Sequence, residues 1–258
     1  MPFADNEGTR IHYKVEGEGP PLVLCHGYMF SSESWRNTGY VDALKENYQL
    51  ILIDARGHGY SDKPHNQEAY SDILMVTDVI SVLDELNIEK AHFLGYSMGG
   101  IAGWLIRKYA RDRFYSLIIG GERPSEQNLD VRNINERWLS MLKRGNEAVI
   151  ATLEKESGSK LPSAAKRILM NNDPEALIAA DNFFQDRVEY NETVANTTLP
   201  CLLYMGEADL NYAEAKKCVD VLPNIAFVTL LGLNHVESMI RSELVLPHIL
   251  KFLNEQTT

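Results

Sequence analysis

Short apolar runs alternate along most of this chain with longer segments of helical periodicity. Residues 21–27 (PLVLCHG) and 91–97 (AHFLGYS) are typical of buried strands, and residues 9–17 alternate as a half-exposed strand does. Residues 72–87 carry apolar side chains at the spacing of one helix face, at positions 73, 76, 79, 80, 83 and 86. This alternation predicts the α/β class, with a mostly parallel, twisted sheet and helices on both of its faces.

The alternation stops at about residue 122 and returns at residue 199 with LPCLLYMGEAD. The residues between read as helices separated by polar turns. We therefore predict a core domain formed by residues 1–121 and 197–258, with a helical lid at 122–196 inserted between two core strands. Four aromatic residues of this lid are candidates either for its core or for facing a substrate: Trp138, Phe183, Phe184 and Tyr190.

Composition narrows the range of partners and compartments. The 258-residue chain has a formal net charge of −11, so it repels phosphate backbones, and we predict no nucleic-acid partner. Three cysteines (Cys25, Cys201 and Cys218) are too few for a disulfide framework. The polar first ten residues contain no secretory apolar region, and no apolar run approaches the ~20 residues of a membrane span. These features predict a cytoplasmic protein without a membrane span and leave its oligomeric state open.

The sequence GYSMG at 95–99 places a serine between two glycines at a predicted strand-to-helix junction. A sharp turn there strains the backbone of Ser97 and exposes its hydroxyl group, and it requires residues without bulk at Gly95 and Gly99. Glycine or asparagine would suit the backbone better, so a serine indicates that the strain serves chemistry. We predict that Ser97 is a nucleophile.

A serine hydroxyl group needs a base, and histidine is the usual one. Among seven histidines, His235 follows the last predicted strand, so in a parallel sheet it shares an edge with Ser97. His26 and His58 also follow strands and remain competitors. We favour His235 as the base.

The base needs a carboxylate to orient it. Asp209 follows the strand before the last one and lies on the same predicted edge, while Glu207 and Glu122 are alternatives. With Asp209, the chain order is serine, acid, histidine, which is the order expected of this architecture.

These motifs together resemble the α/β-hydrolase fold superfamily over nearly the whole chain. The resemblance rests on HGY at 26–28, DARGHGYSDKP at 54–64, GYSMGG at 95–100, GEAD at 206–209 and NH at 234–235. It implies an oxyanion hole formed by two backbone amides, those of Met98 and Tyr28. Many relatives have a small residue and a proline after HG. Here Tyr28 and Met29 follow instead, and the Tyr28 side chain is a candidate for lining the pocket.

Within the superfamily the chain is most similar to small bacterial carboxylesterases, enol-lactonases and cofactor-free haloperoxidase-type perhydrolases. Ser97 distinguishes it from haloalkane dehalogenases and epoxide hydrolases, which resemble it but have aspartate at this position. The resemblance implies a serine hydrolase that cleaves a small carboxylic ester or lactone without a cofactor or metal. Alternatives are a perhydrolase, C–C hydrolase or lyase, or a ligand-binding signalling protein with slow or single-turnover hydrolysis. The segment at 54–64 has too few ligands for a metal site and is interpreted as a structural loop.

Overall fold

The computed structural model of the chain describes residues 1–123, 129–157, 160–185, 198–219 and 222–256, with the side chains of 129–135, 156–157, 182–185 and 218 left outside the description. In these residues the strands are β1 Phe3–Asn6, β2 Thr9–Glu16, β3 Pro21–Cys25, β4 Gln49–Ile53, β5 Ala91–Tyr96, β6 Phe114–Gly120, β7 Cys201–Gly206 and β8 Ile225–Leu230. The α-helices in the same ranges are α1 Glu33–Asn37, α2 Tyr40–Leu44, α3 Asp72–Glu85, α4 Met98–Tyr109, α5 Leu129–Leu142, α6 Asn146–Ser157, α7 Ser163–Met170, α8 Pro174–Gln185, α9 Tyr212–Val219, α10 His235–Ile240 and α11 Ser242–Gln256.

The described strands form one eight-stranded sheet in the order β1-β2-β4-β3-β5-β6-β7-β8. The pairs β1–β2 and β2–β4 are antiparallel, and every other neighbouring pair is parallel. Each residue of β5 and of β7 is buried, as expected when a parallel sheet is covered on both faces. The predicted fold class is confirmed.

Alternate residues of the central strands enter two separate cores. Val23 and Phe93 point to the face covered by α3, α4 and α9, whereas Leu24 and Leu94 point to the face covered by α1, α2 and α11. Because successive side chains of a strand project to opposite faces, the continuous apolar runs of β3 and β5 serve both cores. Helices packed on both faces hold the carboxyl edge of the sheet in place, and the candidate site residues lie along this edge.

Helices α5–α8 lie between β6 and β7 in the chain, and we call them the helical insert. Gly145, which has a φ of 92°, lies between α5 and α6. Met141 and Leu142 are buried in the core of the insert, and Trp138 packs against that core. The side chains of Phe183 and Phe184, the whole of Tyr190 and the proposed boundary at 196/197 lie outside the described residues. Within the described ranges, every helix is too short or too polar to cross a bilayer.

Candidate active site

Ser97 occupies a sharp turn between β5 and α4. Its φ and ψ are 54° and −112°, which makes it one of the few described residues other than glycine with a positive φ. The backbone N–H of Ser97 donates to the carbonyl of Gly120 in the neighbouring strand, at 2.8 Å. The sheet therefore holds the strained residue in place, and the hydroxyl group projects beyond the strand end.

The two flanking glycines allow the turn to pack. A Cβ atom on Gly95 would lie 2.1 Å from the carbonyl oxygen of Gly99, and one on Gly99 would lie 2.0 Å from that of Cys25. Both neighbours are backbone atoms, which cannot move aside as the end of a flexible side chain can. The G-x-S-x-G spacing is thus a steric requirement of this turn.

Three side chains from separate segments form one hydrogen-bonded series. Nε2 of His235 lies 3.0 Å from Oγ of Ser97, and Nδ1 of His235 lies 2.7 Å from Oδ2 of Asp209. Because a carboxylate has only acceptors, Nδ1 carries the proton that is shared with Asp209. Nε2 of the neutral ring is then an acceptor, and the Ser97 hydroxyl group donates to it. The arrangement can therefore remove a proton from Ser97.

Asp209 is buried and fixed by its own turn. Its side chain is only 2% exposed, and its Oδ1 accepts the backbone N–H of Asn211 at 2.9 Å. The Asn211 side chain accepts in turn from Nε of the buried Arg123, at 3.1 Å. Both carboxylate oxygens of Asp209 thus have a donor, and Oδ2 is held toward His235.

His235 is held by its backbone as well as by its ring. Asn234 and Glu237 form a reciprocal capping box at the start of α10, with 2.9 Å bonds in both directions. The hydroxyl group of Tyr96, the residue before Ser97, donates to the carbonyl oxygen of His235. The Tyr96 and His235 rings lie 5.4 Å apart between centroids. His235 is therefore tied directly to the strand that precedes Ser97.

The electrostatic surroundings of His235 favour its protonated form. Burial of the ring lowers its pKa, but the hydrogen bond and charge of Asp209, with the charge of Glu122, outweigh this and raise the pKa above 6.5. The side chain is 40% exposed by surface area, so the ring remains accessible from outside. An imidazolium formed during a reaction would be stabilised here.

The competing histidines have structural hydrogen bonds. Nε2 of His26 accepts the N–H of Ala55 at 3.1 Å, and its Nδ1 donates to the carbonyl of Gly27 at 2.8 Å. Nδ1 of His58 donates to the carbonyl of Arg56 at 3.0 Å. Burial and the neighbouring His26 lower the pKa of His58 to about 3. The His26 ring thus joins the loops that follow β3 and β4, and the His58 ring bonds within the second of these loops.

The competing acids accept hydrogen bonds from backbone N–H groups. Glu207 is exposed, and its Oε2 accepts the backbone N–H of Gly232 at 3.1 Å. Oε1 of Glu122 accepts the N–H of Arg123 at 2.9 Å, while its charge acts on His235 from a distance. Of the three candidate acids, Asp209 is the one that shares a hydrogen bond with the His235 ring.

Residues 27–30, which we call the 27–30 turn, run beside Ser97. A Cβ atom on Gly27 would lie 3.6 Å from Cβ of Ser97, and the Phe30 N–H closes the turn on the carbonyl of Gly27 at 3.2 Å. Met98 begins α4 directly after Ser97. The Tyr28 hydroxyl group donates to the carbonyl of Leu177 in α8 at 2.8 Å, so this side chain contacts the helical insert.

The segment at 54–64 is organised around a buried carboxylate. Asp54 accepts from Nδ1 of His12 at 2.8 Å and from the backbone N–H groups of Ser32 and Tyr60 at 2.7 and 3.0 Å. These bonds join β2, the loop after β3 and the 54–64 segment, in line with the structural interpretation of this motif.

Sequence reasoning passed over Tyr96, Arg123 and Asn211. Tyr96 lies in an apolar strand, where an aromatic residue needs no special explanation, and its partner is 139 positions away. Arg123 and Asn211 are 88 positions apart. Arg123 is charged and Asn211 is polar, yet both are buried, and this combination identifies them. Burial is known only once the chain is folded.

Comparison with known proteins is consistent with this geometry. A family model described as the alpha/beta hydrolase fold matches residues 20–185. The 3-oxoadipate enol-lactonase 1 of Acinetobacter baylyi is 34% identical over 119 residues, which are 45% of this chain and 43% of that protein. Epoxide hydrolase 4 of Mus musculus is 34% identical over 116 residues, which are 44% of this chain and 32% of that protein.

A solved structure extends the similarity to the whole chain. The enol-lactonase from Burkholderia xenovorans LB400 has a TM-score of 0.83 at 21% identity, covering 98% of this chain and 100% of that one. At this identity the similarity shows the fold. The chain spans about half the length, or less, of the curated relatives that it matches.

Proposed function

The chain belongs to the α/β-hydrolase fold family, and on that premise we propose that it is a serine hydrolase that cleaves a small carboxylic ester or lactone. The observation that carries the proposal is the series Ser97–His235–Asp209, with heavy-atom distances of 3.0 and 2.7 Å. Such distances are those at which a nucleophile and its base exchange a proton. We also propose that residues 122–196 form a lid, because the helical insert contacts the 27–30 turn beside Ser97.

In the first half-reaction, Nε2 of His235 takes the Ser97 proton as Oγ attacks the carbonyl carbon. The resulting oxyanion accepts hydrogen bonds from the backbone amides of Met98 and Tyr28, which are fixed before the charge develops. The bond to the alcohol then breaks, and protonated His235 gives its proton to the departing oxygen. Asp209 stabilises the imidazolium during this step and keeps Nδ1 oriented toward itself.

In the second half-reaction, water takes the place of Ser97. His235 removes a proton from water, and the hydroxide attacks the acyl carbon bound to Oγ. The same two amides hold the second oxyanion. When the C–Oγ bond breaks, His235 returns the proton to Ser97 and the acid leaves.

The nucleophile favours esters and lactones over epoxides. Attack of a serine oxygen on an epoxide carbon would leave an alkyl ether on Ser97, which water cannot release by this route. Attack on an ester or lactone leaves an acyl ester, which the same residues can hydrolyse. This chemistry separates the proposal from the activity named for the mouse epoxide hydrolase.

Multiple-turnover kinetics tests the proposal. With a short p-nitrophenyl ester and a small lactone in large excess, we expect steady product release at about 1–10³ s⁻¹. Release of one product molecule per protein, followed by a halt, would instead favour the ligand-binding alternative. A complete lack of product from a panel of both substrate types would contradict the proposed hydrolase.

The pH dependence tests His235 as the base. Because the ring must be neutral to take a proton, kcat/KM should rise as pH increases through its pKa. That pKa is raised above the ordinary 6.5, so the midpoint of the rise should lie above pH 6.5. The measurement is kcat/KM for one ester between pH 5 and pH 9. A flat profile over this range would rule out His235 in this role.

A further inference from the structure

The 27–30 turn has a conformation that its own sequence does not favour. Met29 has a φ of 64°, and the bond from Phe30 N–H to Gly27 carbonyl closes a four-residue turn with Met29 in the third position. A positive φ at that position normally calls for glycine or asparagine. A methionine adopts it against a steric penalty that glycine does not have, and the turn contains no proline to restrict its backbone. Something outside the turn must hold it.

Two hydrogen bonds connect the helical insert to consecutive residues of the turn. Nδ2 of Asn172, in the turn between α7 and α8, donates to the carbonyl of Met29 at 2.8 Å. The hydroxyl group of Tyr28 donates to the carbonyl of Leu177 in α8, also at 2.8 Å. The first bond fixes the peptide after Met29, and the second anchors the side chain of the residue before it.

The Met29 side chain is held by the same helices. It is only 7% exposed and packs in the apolar core of the insert, whose buried members are Met29, Met141, Leu142, Val149, Leu169 and Leu177. A relaxed backbone at Met29 would have to withdraw this side chain from that core. Because burying this side chain removes apolar surface from water, its packing acts together with the Asn172 bond to hold the backbone of Met29.

The turn between α7 and α8 is itself well anchored. Asn146 donates through Nδ2 to the carbonyl oxygens of Met170 and Asn172, at 3.2 and 2.9 Å. On the core side, Nε2 of His65 lies 3.0 Å from Oδ2 of Asp173. Asn172 therefore extends from a segment that is fixed to both the insert and the core.

We propose that Asn172 is a positioning residue that braces the oxyanion hole through Met29. The inference rests on the proposed function, in which the Tyr28 amide stabilises the oxyanion. Without the bond from Asn172, Met29 relaxes toward a negative φ and the Tyr28 amide moves away from the reacting carbonyl. Contacts from the helical insert thereby hold the backbone of the turn, as glycine or proline residues within the turn would otherwise do.

The test compares two substitutions of Asn172 with one of Thr152 in α6 of the same insert. Asn172→Asp keeps the shape of the side chain but presents only acceptors to the Met29 carbonyl, and Asn172→Ala removes the group. Loss of a complete oxyanion donor costs about 10²–10³ in kcat, so a displaced donor should cost roughly 10–100-fold, with KM changed less than about threefold. Thr152→Ala removes a side-chain hydrogen bond of the same insert, from Oγ1 of Thr152 to the carbonyl of Ala148 at 2.8 Å within α6, and it should leave kcat within about threefold.

A second measurement does not depend on turnover. Hydrogen–deuterium exchange of peptides covering residues 27–32 should become faster in both Asn172 variants and stay unchanged in Thr152→Ala. If the wild type hydrolyses no ester, the proposed function fails, while faster exchange in the Asn172 variants still supports the brace. Wild-type kcat and exchange in Asn172→Asp would overturn the brace, as would equal losses in Thr152→Ala and Asn172→Ala.

Discussion

Replacing Ser97 by alanine is expected to lower kcat for ester hydrolysis by roughly 10⁵–10⁶-fold, which is the size of effect seen when the nucleophile of such a unit is removed. Alanine has no oxygen to attack the carbonyl carbon, and His235 loses the proton that it would accept. The fold should survive, because the strained turn needs small residues at Gly95 and Gly99 and not a hydroxyl group at position 97. Steady-state rates with purified protein and circular dichroism measure the two parts of this expectation.

The chain offers a matched control for this variant. Oγ of Ser116 lies 2.8 Å from Nδ1 of His92, a second serine–histidine pair, buried within β5 and β6. Ser116→Ala removes the same group from the same type of pair and should keep the activity per folded molecule within about threefold. Equal rates for Ser97→Ala and wild type would exclude Ser97 as the nucleophile.

Long buried strands and their carboxyl ends are what the sequence predicts best. The central strands are apolar throughout because both of their faces are covered, and this produces a signal that needs no knowledge of distant contacts. Ser97 and Asp209 follow two such strands, and His235 follows β8, which is parallel to them but mostly half-buried, so topology predicts that the three residues share an edge. The hydrogen bonds among them in the structure agree with that expectation, and their catalytic roles stay predictions.

Short elements were not predicted from the sequence, for local reasons. Strand β1 has only four residues, FADN, two of them polar, and it exists by pairing with β2 across a two-residue turn. Glu7 and Gly8 form that turn with φ values of 52° and 83°, where asparagine or aspartate before glycine would have been the clearer signal. The hydrogen bond from Asn172 to Met29 could not be predicted for the opposite reason, because the two residues are 143 positions apart in the chain.

Replacing Asp209 by asparagine is expected to lower kcat by roughly 10⁴-fold, with little change in fold or KM. Two donors face this side chain, the Asn211 N–H at Oδ1 and Nδ1 of His235 at Oδ2. An asparagine has one oxygen for two donors. If that oxygen keeps the Asn211 bond, its amide group faces Nδ1 and forces the ring proton onto Nε2. Nε2, the nitrogen that faces Ser97, then has no lone pair with which to accept the Ser97 proton.

The same substitution separates the three candidate acids. Loss of the Asp209 charge should move the acid limb of kcat/KM to lower pH, because that charge helps to raise the pKa of His235. Glu122→Gln should move the limb in the same direction but by less and keep kcat within about tenfold, since Glu122 acts on His235 by charge alone. Glu207→Gln should change neither quantity, because its carboxylate faces Gly232. A 10⁴-fold loss in Glu122→Gln or Glu207→Gln, with Asp209→Asn active, would transfer the orienting role to that glutamate.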